Sequence, residues 1–227
     1  MIGNDAAAQG RPQPAVPRFV DSVFRPGVRW TTARSSTAVT ELREAGAVRL
    51  PSGRLVVADP GHLDLDAAPF TVGVPPGEYP VEVAAVRFED RPEHVRVAAA
   101  RLVVSREPVV SWEMALLDGQ DPAELGDDEF YGFGVDTGTG CFVDGDAARS
   151  MGEYVDRNFE DAYDEVFEAQ VAEMRDPETG DALVAFVSGW GDGSYPTWIG
   201  RTAGGDVACF VVDTFVLHGG VPEGQAR

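Results

Sequence analysis

Two glycine-punctuated stretches decide how this chain reads: YGFGVDTGTGCFVDGD at 131–146 and FVSGWGDGSYPTWIGR at 186–201. Each mixes small residues, aromatics and isolated aspartates. Glycine is selected where the backbone takes a positive φ or where another group comes close. Each stretch therefore reads as a tight turn that carries aspartates on strand ends. The expectation is that the two corners lie side by side, so that residues 138 and 192 share one neighbourhood.

Working outward, ALVAFVSGW, TWIGRT and VACFVVDTFVL read as three antiparallel strands, with Gly204-Gly205-Asp206 as the hairpin between the last two. Upstream, AVRLPSGRLVVADPGH (47–62) reads as strand, turn, strand, and hence as a hairpin. Residues 69–90 and 95–116 read as further short strands, among which Tyr79 to Val83 alternates cleanly. Two segments read as helix. SSTAVTELREAG (35–46) has Ser/Thr ahead of Glu and Leu and closes on Gly46, the pattern of a short capped helix. Residues 146–174 place Met151, Val155, Ala162 and Val166 on one stripe and Asp156, Glu160, Asp161, Asp164, Glu165 and Glu168 opposite it, which is an amphipathic helix with an acidic outer face. Many short strands broken by Gly and Pro argue for a sandwich-like or bent sheet. The expected fold class is α+β, mostly antiparallel β, with one long amphipathic acidic helix. Residues 1–17 are expected to be a flexible lead-in, 18–218 a single domain and 219–227 a frayed tail. No internal repeat is visible.

Composition sets the class of partner. The 227 residues are 44% hydrophobic and 25% charged, as in ordinary globular proteins. The formal net charge is −20, and residues 113–181 hold 21 Asp and Glu against 3 Arg. Such a field repels nucleic acid and anionic membranes and attracts basic proteins or divalent cations. All 18 cationic residues are arginine. No apolar run reaches the roughly 20 residues of a membrane span, and the first residues lack the cationic and apolar regions of a secretory signal. A cytoplasmic location is expected. Cys141 and Cys209 sit in apolar strands and read as buried small hydrophobes.

Four isolated aspartates, Asp136, Asp144, Asp192 and Asp213, stand at strand ends or inside apolar strands. Aspartate is depleted in strands, and a buried carboxylate is costly unless hydrogen-bonded, paired or metal-bound. One reading has them bond turn amides. The other has Asp136, Asp144 and Asp192 converge on a divalent cation, Mg²⁺ or Ca²⁺. Trp190, Tyr195 and Trp198 either stack on a ligand or pack in the core. Arg201 either pairs with a carboxylate or binds an anion. His62, His94 and His218 have no partner at a meaningful spacing and read as surface residues. Ser188 lacks a nucleophile-elbow pattern, and GFGVDTG is not a dinucleotide fingerprint.

The stretch SGWGDGSYPTWIG (188–200), with GTGCFVD (138–144) before it and VVDTFVL (211–217) after it, resembles a bacterial family known as domain-of-unknown-function family 4241. LPSGRLVVADP (50–60) and PPGEYPVEV (75–83) resemble it too, so the likeness spans roughly residues 45–217. It rests on Gly138, Gly140, Cys141 and Asp144 in the first corner, Ser188 to Gly193, Tyr195, Pro196 and Gly200 in the second, and Asp213. The resemblance implies a shared fold and carries no activity or catalytic residue with it. From the residues themselves the expected function is a non-catalytic binding or regulatory module for a basic protein. The alternatives are a divalent-metal hydrolase built on Asp136, Asp144 and Asp192, and an immunity-like inhibitor whose acidic helix covers a basic active site.

Overall fold

A computed structural model describes residues 13–18, 20–63 and 67–224. The chain order is α1 (Val20–Val23), β1 (Arg29–Thr31), β2 (Thr37–Leu50), β3 (Leu55–Ala58), β4 (Gly77–Phe88), β5 (Arg91–Val103), β6 (Ser111–Met114), β7 (Gly132–Val135) and β8 (Thr139–Asp144). Then follow α2 (Ala148–Arg157), α3 (Phe159–Ala169), β9 (Val171–Arg175), β10 (Ala182–Val187), β11 (Gly193–Arg201), β12 (Val207–Asp213) and β13 (Val221–Pro222). A curled nine-stranded sheet runs β13-β1-β2-β4-β5-β12-β11-β6, with β7 also pairing β11; a four-stranded sheet runs β3-β8-β10-β9. Every pairing is antiparallel. The mostly antiparallel β architecture is therefore as the turn spacing predicts.

The apolar patterning explains the layers. Val184 and Phe186 of β10 and Phe142 of β8 join Val48, Leu50, Val83, Leu102, Phe210 and Val212 of the large sheet in one core between the sheets. The alternate residues Cys141, Val143, Leu183, Ala185 and Val187 face the other way, onto Met151, Val155, Ala162 and Val166 of α2 and α3. Both faces of β10 are thus covered, which is why ALVAFV is continuously apolar instead of alternating. On the outer side of the large sheet, Trp30, Ala84, Val86 and Val211 are covered by Val20, Val23 and Phe24. Cys141 and Cys209 are buried free thiols.

Three predicted elements are corrected. Residues 35–46 are not a helix: residues 37–46 are the first part of β2, paired with β4 from Ala38↔Phe88 onward. Gly46, at φ +82°, marks a bulge between Glu44 and Ala47, not a helix end. Segment 47–62 is not a hairpin, because β2 and β3 go to different sheets and the Pro-Ser-Gly turn is a corner between layers. The single helix over 146–174 is two helices and a strand. At Asn158 (φ −120°, ψ 27°) the backbone leaves the helical region, while its side-chain amide donates to Tyr154 O at 2.8 Å and closes α2. Gln170 then takes a left-handed conformation, φ 70°, and Val171–Arg175 pairs with β10 as β9.

The chain margins also differ from expectation. Residues 1–12 of the expected lead-in and residues 225–227 of the tail lie outside the described residues. Ala15 N donates to Glu129 O at 2.9 Å, so this part of the lead-in is attached. Val221–Pro222 pairs with β1 as β13 and is not frayed. Among the described residues, no helix is long and apolar enough to cross a membrane.

Candidate functional site

The two glycine corners meet. The first corner leaves β7, which pairs with β11 in the large sheet, and enters β8 in the small one. The second leaves β10 in the small sheet and enters β11 in the large one. Both corners are crossings between the same two layers, and this brings them together. Ser188 N donates to Gly138 O at 2.9 Å. A Cβ built on Gly138 would lie 4.0 Å from Gly191 Cα and 3.6 Å from the Phe167 ring of α3. Gly189 shows why only glycine serves there: its φ is +68°, and a Cβ would stand 2.5 Å from Val216 and 2.8 Å from Thr214. Ser188 Oγ and Tyr195 OH both donate to Gly191 O at 2.7 Å, which locks the second corner.

The carboxylate that holds the first corner is Asp59, which is not among the four isolated aspartates of the sequence. It is almost wholly buried. One oxygen accepts from Gly61 N at 2.9 Å and Thr137 Oγ1 at 2.7 Å; the other accepts from Asp136 N and Thr137 N, each at 2.8 Å. Four donors replace the lost hydration of the charge. Thr139 Oγ1 lies 2.7 Å from Thr137 Oγ1 and extends the network. The signal was present in the sequence as an aspartate before Pro-Gly at a strand end, the pattern of a capped turn.

The predicted aspartates do not gather. Asp136 projects into solvent with its side chain 83% exposed and touches His62 at 3.5 Å. Asp144 is buried at the far end of β8, about 16 Å along the strand by its length. There it accepts from Ser52 N at 3.0 Å, Ser52 Oγ at 2.7 Å and Asp146 N at 2.8 Å. Asp192 is exposed in the second corner. Asp213 caps the turn after β12 by accepting from Phe215 N at 2.8 Å. The divalent-metal trio of Asp136, Asp144 and Asp192 is therefore corrected: one member is committed to a turn at the opposite end of the strand. Among the described residues no group of three His, Cys, Asp or Glu could hold a metal ion.

The aromatic candidates divide. Trp198 is buried against Met114 and Leu125, and Tyr195 packs beside Phe133 and Phe215, so both belong to the core. Trp190 is 58% exposed. Arg201 pairs with Glu113, its Nε at 2.9 Å from Oε1. Neither thiol is poised for chemistry: burial pushes Cys209 up to about 11 and raises Cys141 further, with Asp59 adding to the latter.

Two surfaces of opposite sign flank the corners. On one side, α2 and α3 expose Glu153, Asp156, Glu160, Asp161, Asp164, Glu165 and Glu168. Phe159 and Phe167 stand among these acids 53% and 46% exposed. Phe159 packs tilted against Tyr163, with ring centres 4.6 Å apart, and the Tyr163 ring centre lies 6.3 Å from that of Phe167. On the other side, Trp190 walls a cleft of about 430 Å³ that carries Arg34, Arg91, Arg96, His94 and His218 against the single acid Asp90. His94 and His218 thus have a common setting that their sequence spacing did not reveal.

Layered antiparallel sheets with a helical cover and two interlocked inter-sheet corners define a β-rich α+β protein with no metal cluster among its described residues. The chain belongs to the family described as Protein of unknown function (DUF4241), whose model matches residues 48–212. That range runs from the end of β2 to the end of β12 and contains both corners. No curated protein and no solved structure matches the chain.

Proposed function

We propose that this protein is a non-catalytic binding module whose acidic helical face docks a basic protein. One observation carries the reading. The Phe167 ring of α3 lies against Gly138, so the acidic face of α2 and α3 continues into the corners that expose Asp136 and Asp192. Charge of one sign around two half-exposed phenylalanines is the chemistry of a partner that brings arginine or lysine around an apolar patch. Aromatic anchors supply the buried area of such contacts, and the surrounding charges set on-rate and partner choice. The committed hydrogen bonds of Asp59 and Asp144 and the raised, buried thiols support a binding role over a catalytic one.

The test compares full-length protein with two variants as bait in a low-salt lysate. One variant is Phe159→Ala with Phe167→Ala; the other neutralises Glu160, Asp161, Asp164, Glu165 and Glu168 to their amides. The expected result is a basic protein retained by the natural chain, lost from both variants and released at about 0.5 M salt, where the screening length is under about 5 Å. Equal retention by the neutralised variant, or retention of acidic proteins, overturns the reading.

A further inference from the structure

The cleft beside Trp190 inverts the charge of the molecule around it. In a chain of net charge −20, its walls hold three arginines and two histidines against one aspartate. Arg91 is within 3.8 Å of Asp90. Arg34 and Arg96 make no ion pair among the described residues. Instead the Arg96 guanidinium donates to Val95 O at 3.0 Å and stands 5.5 Å over the Trp190 ring. An arginine without a carboxylate in so acidic a protein is an open site for an anion. Its planar fork suits phosphate oxygens better than a single charge does.

The walls are also shaped, and they come from separate parts of the chain. Arg34 rides the turn 32–36, fixed by Thr32 N to Ser36 O at 2.9 Å and Ser35 N to Thr32 O at 2.9 Å. Phe88 ends β4, His94 and Arg96 lie on β5, Trp190 lies in the second corner and His218 follows β12. Phe215 (φ 60°), which lines the cleft, and Ser35 (φ 62°), which follows Arg34 in its turn, hold left-handed backbone without being glycine. That conformation is an outlier for a residue as bulky as phenylalanine, and such strain concentrates at ligand clamps. Trp190 is fixed between Gly189 and Gly191, both at positive φ, and its ring centre is 6.2 Å from that of Phe88. This leaves a flat apolar wall next to the unpaired guanidinium groups. A volume of about 430 Å³ is that of a small-molecule site. The surrounding negative field opposes a long polyanion and leaves a compact one as the occupant.

We propose that the cleft binds a small phosphorylated compound with a flat ring, of the nucleoside monophosphate kind, with the ring on Trp190 and the phosphate between Arg34 and Arg96. This site is independent of the acidic face of α3, and variants there leave it unchanged.

The test is titration of the purified full-length protein at about 50 mM salt with AMP, adenosine, inorganic phosphate and salicylate, followed by calorimetry and tryptophan fluorescence. AMP is expected to bind saturably and at least about tenfold more tightly than each of the other three. Arg34→Ala and Arg96→Ala are each expected to weaken AMP by about tenfold or more, as loss of one charge-assisted contact implies. Trp190→Ala is expected to weaken AMP and to leave inorganic phosphate unchanged. All three side chains are wholly or partly exposed, so the variants fold, and an unchanged melting temperature checks this. Absence of AMP binding up to about 5 mM, adenosine or phosphate binding as tightly as AMP, salicylate binding more tightly, or unchanged affinity in both arginine variants each overturns the proposal.

Discussion

Asp59, Asp213 and Glu82 are three buried or part-buried carboxylates with three different settings. Asp59 feeds four donors of the first corner, so Asp59→Ala orphans them and is expected to cost at least about 3 kcal/mol in urea denaturation. A loss under about 1 kcal/mol would show that the corner holds without it. For Asp213, burial raises the carboxyl above its ordinary value, and the Phe215 N–H and His218 only partly offset this. A raised folded-state value means that its favourable contribution is present below the unfolded value and is lost as pH rises through the folded one. Asp213→Asn, which still accepts from Phe215, is therefore expected to melt at or above the natural chain at pH 7, with the difference closing toward pH 4. For Glu82, burial acts to raise the value, but hydrogen bonds and charge from Arg101 and Arg106 outweigh it and hold it low. The sign reverses: this contribution is present above the ordinary glutamate range and is lost as pH falls through the folded value. Glu82→Gln is expected to cost about 3 kcal/mol at neutral pH, with the penalty shrinking in acid; an equal penalty at pH 3 and pH 7 contradicts the assignment. The four aspartates chosen from the sequence stood out by their isolation. Asp59 did not, because three of its four donors, on Asp136 and Thr137, lie 77 and 78 positions away and only folding brings them near; its local bond from Gly61 reads as an ordinary turn cap.

Helices α2 and α3 show what local pattern conveys and where it stops. The stripe Met151, Val155, Ala162, Val166 is the buried face, as the periodicity predicts. The break at Asn158 and the stop at Gln170 were not legible, because neither glycine nor proline marks them. Gln170 sits in the left-handed region, and its side-chain carbonyl is buried with no hydrogen-bond partner among the described residues. Gln170→Gly removes both costs and is expected to stabilise the protein by about 1 kcal/mol, a rise of roughly 2–4 °C in melting temperature; a fall would mean that the bond from its amide to Phe167 O matters more. Segment 35–46 misled for a different reason. Ala38 and Leu42 are four apart, which fits one face of a helix, and also an even number apart, which fits one face of a strand. Pairing with β4 decided the matter. The strands β8, β10, β11 and β12 were legible because their apolar runs are bounded by glycine, and the corner contact followed from them.

At the scale of the whole molecule, charge and connectivity are both unevenly spread. The acidic segment 113–181 includes α2 and α3, while the cationic cleft draws on residues 32–36, 88–96, 190 and 215–218, so the acidic face and the cleft come from separate parts of the chain. The order of the large sheet has a further effect. Strand β5 is bordered by β12, and β6 is reached only through β11, so the last long strands complete the middle of the sheet. During synthesis the first half of the chain leaves the ribosome with the backbone amides of β5 unmatched along one margin, and an open margin of this kind recruits other chains. A nascent chain arrested before residue 193 is expected to be protease-sensitive and to aggregate unless a holdase is supplied, whereas extension past residue 213 should confer resistance in one step. The open margin of β5 is thus closed by β12, which the chain reaches only after the second corner.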